Sequence, residues 1–199
     1  MKISIILFPE FESLDVFGPV EVFGKLTDEL SLNYFSAAGG IVSNSDNVRL
    51  GTDPVAKAFG STDILFVPGG MGTRKEAVNK EFLGVLSRLA AESKYILSVC
   101  TGSLLLARAG ILKGKKATTN KRAFNEVIQH APGVDWMKKA RWVKDGRIYT
   151  SSGVSAGIDM ALAFIEDVFG KERADAVSVR IEYERNTDSK ADRFSDLYE

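Results

Sequence analysis

Cys100, the chain's single cysteine, stands in "SVCTGSLLLARAGIL" (residues 98–112), between an apolar run and a glycine-led helical pattern. A residue at such a strand-to-helix turn is often held in a strained backbone conformation that exposes its side chain, and the following helix N-terminus favours negative charge. Both effects favour thiolate, the nucleophilic form, over thiol. Beside it, Thr101 supplies a hydroxyl, Gly102 permits close approach and Ser103 is placed to cap the helix. Free cysteine is also among the most buried residue types, so position alone leaves an inert core thiol as the competing reading.

Two further groups could serve that sulfur. Asp15, in "FPEFESLDVFGPVEVF", falls where a helix would begin after the first strand. It reads either as a helix-start residue or, if it approaches Cys100, as a proton donor, since two negative charges sharing a small site force one group to keep its proton. Gly69 and Gly70, in "VPGGMG", offer unobstructed backbone amides that form an anion-stabilising nest or merely a tight turn. His130 is the only histidine and sits at the end of a helical pattern, where contact with terminal carbonyls is its default role. The imidazole base of cysteine proteases and glutamine amidotransferases is therefore missing beside Cys100. No clustered cysteine and histidine residues suit a metal, and the glycine runs lack the spacing and the lysine of a phosphate-binding loop.

These residues need elements to carry them. Three continuous apolar runs, at residues 3–8, 64–67 and 95–99, read as strands of a parallel sheet buried on both faces. Helical patterns lie near residues 20–26, 80–93, 102–110, 122–129 and 156–170, and this alternation predicts an α/β fold with helices on both sides of the sheet. Ligands in such sheets bind outside the carboxyl ends of the strands, which is where Asp15, Gly69 and Cys100 fall. "RWVKDGRIYTS" predicts a hairpin turning at Asp145-Gly146. "LNYFSAAGG" reads as a further strand toward one edge. The expectation is one domain over residues 1–185, followed by a polar tail, 186–199, that is either mobile or laid across a neighbour.

With 26 basic and 26 acidic residues among 199, the chain has no electrostatic footprint for nucleic acid or an anionic membrane. The expected partner is a small-molecule electrophile. The opening "MKISIILFPE" reads as a strand rather than a signal segment, no apolar stretch is long enough to span a bilayer, and one cysteine cannot form an intramolecular disulfide. A cytoplasmic location is expected.

Taken together, "LFPEFESLDVFGPVEVF", "DILFVPGGMG", "ILSVCTGSLLLARAGILKGKKATT" and "TSSGVSAGIDMALAFIEDVFG" resemble the ThiJ/PfpI superfamily over essentially residues 2–184. That resemblance implies the class I glutamine amidotransferase-like architecture, a flavodoxin-like three-layer sandwich with a mostly parallel central sheet. Within the superfamily, "LD..GP", "SVCTGSL" and "G..AGID" are most similar to the isocyanide (isonitrile) hydratase branch. This implies a Cys100 nucleophile, Asp15 as general acid and base, Thr101 orienting the aspartate or a water, and Gly69 and Gly70 steadying developing charge. It implies hydration of an isocyanide to an N-substituted formamide with no cofactor and no metal, in a homodimer whose contact involves either the helix after Asp15 or another surface. One departure stands out: where the hydratases tend to carry histidine after "ATT", this chain has Asn120, which faces the substrate pocket by the same resemblance and cannot titrate. The alternatives are a glutathione-independent, glyoxalase-like enzyme acting on 2-oxoaldehydes, and a non-enzymatic oxidant sensor using Cys100. The motifs also occur in sensor domains of arabinose-operon-type activators, whose DNA-binding region is not expected here.

Overall fold

Ile3, Ile5 and Ile6 are all buried, which a half-exposed strand would not tolerate. In the computed structural model, which describes residues 1–198, these residues form β1 (Lys2–Ile6) at the centre of an eight-stranded sheet. The chain continues through α1 (Ser13–Phe23), β2 (Ser31–Ser36), β3 (Gly40–Ser43), β4 (Arg49–Pro54), β5 (Ile64–Val67), α2 (Thr73–Glu76), α3 (Lys80–Glu92), β6 (Tyr95–Ser98) and α4 (Gly102–Arg108). It closes with β7 (Lys116–Ala117), α5 (Phe124–His130), β8 (Asp135–Trp136), β9 (Trp142–Asp145), β10 (Ile148–Ser151), α6 (Ala156–Phe169) and α7 (Lys171–Arg180). Strand order is β3-β4-β2-β1-β5-β6-β10-β9. The six inner strands run parallel, and β3 and β9 pair antiparallel at the two ends. Strands β7 and β8 make a separate small ladder. Helices α1, α6 and α7 pack together, while α2, α3 and α5 gather around α4, so the fold is the mostly parallel three-layer α/β sandwich. Among the described residues, no helix is long and apolar enough to cross a membrane.

One aromatic cluster ties the layers together. Phe164 of α6 meets Phe23 of α1, Tyr95 of β6 and Tyr149 of β10 edge-to-face, at centroid distances of 6.0, 5.1 and 5.3 Å. Such contacts add to the burial of large rings and hold α1 against the sheet.

Several expectations need correction. The strand in "LNYFSAAGG" is not near the edge: β2 lies between β1 and β4, and the β3–β4 hairpin forms the margin beyond it. The first helix begins at Ser13, close to the Asp15 start expected and ahead of the apolar pattern at 20–26, and runs through Gly18-Pro19, because Asp15, Val16, Val22 and Phe23 all gain burial from that register. The tail lies across its own body: the Arg141 amide donates to the Ser189 carbonyl and the Asp192 amide to the Lys139 carbonyl, both at 2.8 Å. Glu199, its last residue, falls outside the described residues.

Candidate active site

Strand β6 delivers Cys100 to the carboxyl edge of the sheet, and the chain must then reverse into α4. The reversal places Cys100 at φ +57°, in the left-handed region that non-glycine residues seldom occupy. Surrounding bonds hold it there. Its amide is shared between the carbonyls of Ser151 (3.2 Å) and Ser152 (3.0 Å), and its carbonyl accepts from Ser103 Oγ and Thr119 Oγ1, each at 3.0 Å. Ser103 therefore braces the elbow rather than capping α4. Val154, in the loop after β10, also has positive φ (+45°), so two strained backbones meet at one rim.

Asp15 points into the same place. Its side chain is fully buried in the first turn of α1, caps no amide of that helix, and reaches across to accept from the Gly69 amide through Oδ2 at 2.9 Å. Oδ1 is buried without a hydrogen-bond partner. Burial raises the Asp15 pKa from the usual carboxylate range to about 8; the Gly69 amide pulls against this, the charge of Glu12 adds to it, and the Cys100 thiol offsets it slightly. That places the carboxyl mostly in its protonated form at pH 7. Burial also pushes the Cys100 thiol well up, an ionised Asp15 pushes it further, and the amides of Thr101 and Val154 and the Thr101 hydroxyl draw it back. The expectation of a resting thiolate is thereby corrected: donors do face the sulfur, but desolvation outweighs them.

The expected anion nest is corrected too. The Gly69 amide is engaged by Asp15, and the Gly70 amide donates to Thr101 Oγ1 at 3.1 Å. Only Gly70 of the pair lines the cavity beside Cys100. Thr101 Oγ1 also receives Thr73 Oγ1 at 3.1 Å, so this hydroxyl braces the loop after β5 and makes no bond to Asp15. The crowding is severe, since a Cβ on Gly69 would lie 2.7 Å from Thr101 Oγ1 and 2.8 Å from Asp15 Oδ2. Asn120 lines the cavity, with Oδ1 taken by the Ala123 amide at 3.0 Å. His130 is exposed at the end of α5, as its helix-terminal position implies.

This cavity, about 600 Å³, lies above Cys100, Thr101, Asn120 and Val154. A larger one, about 990 Å³, sits beside β9 and contains none of these groups, so size does not mark the chemistry. Sequence reasoning missed several lining residues. Val154 follows the carboxyl end of a parallel strand and was findable by the rule that located Cys100. Lys121 carried no such signal: it is buried, donates to Ala140 O (2.6 Å) and Thr118 Oγ1 (2.7 Å), and burial lowers its pKa to about 8. Arg74 and Glu126 pair across the rim at 2.6 and 2.9 Å. Among the described residues, no group of three or more histidine, cysteine or acidic side chains is arranged to hold a metal ion.

A strained cysteine at a sheet edge, with a neutralised carboxyl beneath it in a three-layer sandwich, defines a class. The chain belongs to the DJ-1/PfpI family, whose profile matches residues 1–167. Isonitrile hydratase of Pseudomonas putida is 33% identical over 184 residues, covering 92% of this chain and 78% of that protein. The HTH-type transcriptional regulator GbdR of Pseudomonas aeruginosa is 29% identical over 190 residues, and this chain spans only 51% of its length. The crystal structure of a ThiJ/PfpI family protein from Pseudomonas syringae superposes with a TM-score of 0.84 at 28% identity, covering 93% of this chain and 76% of that one.

Proposed function

We propose that the protein is a cysteine-dependent hydratase that converts an isocyanide, R–NC, and water to the N-substituted formamide, R–NH–CHO. The observation that carries the reading is the pairing of Cys100, strained at the rim, with a buried Asp15 that the Cys100 thiol reaches and whose pKa burial raises to about 8. The terminal carbon of an isocyanide accepts both a nucleophile and a proton. The Cys100 sulfur bonds to that carbon as the carbon takes the Asp15 proton, and the thiol proton replaces the one given up. The product is the thioimidate R–N=CH–S–Cys100. Water then adds to the same carbon while Asp15 relays a proton to nitrogen, giving R–NH–CH(OH)–S–Cys100. Breaking the C–S bond releases the formamide, and the hydroxyl proton returns to sulfur. The amides of Thr101 and Val154 steady negative charge on sulfur as it leaves. Asn120 holds the substrate through its amide, and Gly70 shapes the floor beneath it. No step calls for a redox group or a metal.

The alternatives have less support. Glyoxalase-like members favour glutamate and histidine near the thiol, where this chain has Asp15 and Asn120. A peroxide sensor needs a thiolate, and burial pushes the Cys100 thiol up from its ordinary value. The reading includes a cytoplasmic location, in keeping with one free cysteine, and a homodimer formed through α1. Most of the α1 apolar stripe is buried within its own chain, but Leu14 and Phe17, three residues apart on one face, remain over a third exposed.

The test is direct. Purified protein should convert aryl and alkyl isocyanides to formamides, and Cys100→Ala should lower turnover by on the order of 10⁴. Turnover unchanged in that variant removes the nucleophile assignment. Absence of turnover in the wild type, with lactate formed from methylglyoxal without glutathione, replaces the hydratase reading by the glyoxalase one.

A further inference from the structure

The segment 186–198 changes character at Asp192. Up to that point it is pinned: the Asn186 amide donates to Asp159 Oδ1, and the amides of Arg141 and Asp192 bond across the junction with the body, all at 2.8 Å. Asp159 is itself fully buried and clamped by the Arg141 guanidinium at 2.6 Å. Asp192 is buried and lends its charge to Lys121. Beyond it, the amides of Phe194 and Ser195 return to Asp192, and that of Leu197 returns to Phe194. Among the described residues, no backbone hydrogen bond joins 193–198 to the body. Within this turn Ser195 is buried, and Phe194 and Tyr198 lie along the Cys100 cavity.

Those two rings are 37% and 42% exposed. Half-wet aromatic surface at a cavity mouth contributes little to folding, and it gains stability when an apolar group covers it. Much of the remaining lining is charged, through Glu12, Arg74 and Glu126, and Met71 is the other exposed apolar side chain along it. An isocyanide presents a small reactive end and an R group that is commonly apolar.

We propose that Phe194 and Tyr198 are specificity-determining residues: they receive the R group and favour aryl over small alkyl isocyanides, and the turn 193–198 moves about Asp192 to admit them. The inference rests on the isocyanide reading of the Cys100 site and adds the substrate class. Because no backbone hydrogen bond among the described residues ties the turn to the body, its displacement breaks no ladder.

The experiment uses the full chain with Phe194→Ala, Tyr198→Ala and the double variant, each checked for an unchanged melting temperature. Two ratios are measured: kcat/KM for phenyl against methyl isocyanide, and the rate of Cys100 alkylation by N-phenylmaleimide against N-methylmaleimide. The expected result is a fall of about tenfold in both ratios for the double variant. For the isocyanides this fall comes through KM for the phenyl compound, with methyl turnover within about twofold of wild type. Ratios that stay put, or an equal loss on both members of each pair, overturn the inference. If the wild type hydrates neither isocyanide, the hydratase reading fails by itself and the maleimide ratio still decides whether the aromatic wall selects.

Discussion

Asp15 holds its proton toward pH 8 because burial strips its charge of water, the Gly69 amide and the Cys100 thiol replace only part of that hydration, and Glu12 adds a like charge nearby. With its pKa near 8, hydration should decline as pH rises through about 8, when the donor loses its proton. Asp15→Asn should remove most activity, and whatever remains should lack that alkaline limb; an identical limb in the variant assigns the titration to another group. The same shift acts on folding. The folded state holds the Asp15 proton more tightly than the unfolded chain, so this group's stabilising contribution is complete below about pH 4 and is lost progressively toward pH 8. An asparagine side chain does not titrate, so the stability difference between variant and wild type should move in the variant's favour between pH 5 and pH 8, by several kcal/mol in denaturant melts. A constant difference would refute the raised pKa. The placement of Cys100 and Asp15 was legible because both follow β-runs whose carboxyl ends must converge. Their protonation was not, since desolvation depends on what α1 and the loop after β5 bring over them. Gly69 and Gly70 show the same boundary: two free amides in the sequence become two engaged ones once Asp15 and Thr101 fold onto them.

Helix α4 does more than present its N-terminus. Its first residue, Gly102, sits so close to the end of β5 that a Cβ there would approach the Val67 carbonyl oxygen to 2.3 Å and that of Pro68 to 2.8 Å. Gly102→Ala must push the helix off the strand, and the elbow at Cys100 moves with it. We expect about 2 kcal/mol of destabilisation in urea melts, with slower alkylation of Cys100; a variant as stable and as reactive as wild type would mean that the elbow tolerates the shift. Elements with a continuous or helically spaced apolar pattern were the readable ones, as β5 and α3 show: β5 is buried throughout, and α3 buries Phe82, Leu86, Leu89 and Ala90 along one face. The β3–β4 hairpin escaped because its residues, "GIVSNSDNVRLGTDP", lie on a wet margin where alternation is weak. Helix α7 escaped because only Ala174, Val177 and Ser178 are buried, a stripe too narrow to stand out in a mostly polar segment. Pro19, ordinarily a helix breaker, is accommodated inside α1, which begins close to the Asp15 start that the sequence marked.

The assembled molecule leaves Leu14 and Phe17 outside its core, on the helix whose inner face supplies Asp15. A homodimer through α1 would bury them within one turn of the acid. Light scattering at tens of micromolar should give twice the 21.7 kDa chain mass, and Phe17→Glu should shift it toward one copy. A wild-type mass of one chain excludes the dimer, and a Phe17→Glu protein that stays paired moves the contact elsewhere. The order of residues along the chain also bears on when the proposed aromatic wall forms. Phe194 and Tyr198, which line the Cys100 cavity, leave the ribosome long after the sulfur does. A chain clipped by a protease beyond Asp192 would lose both rings, and under the proposal above its Cys100 should then meet aryl and alkyl electrophiles without preference.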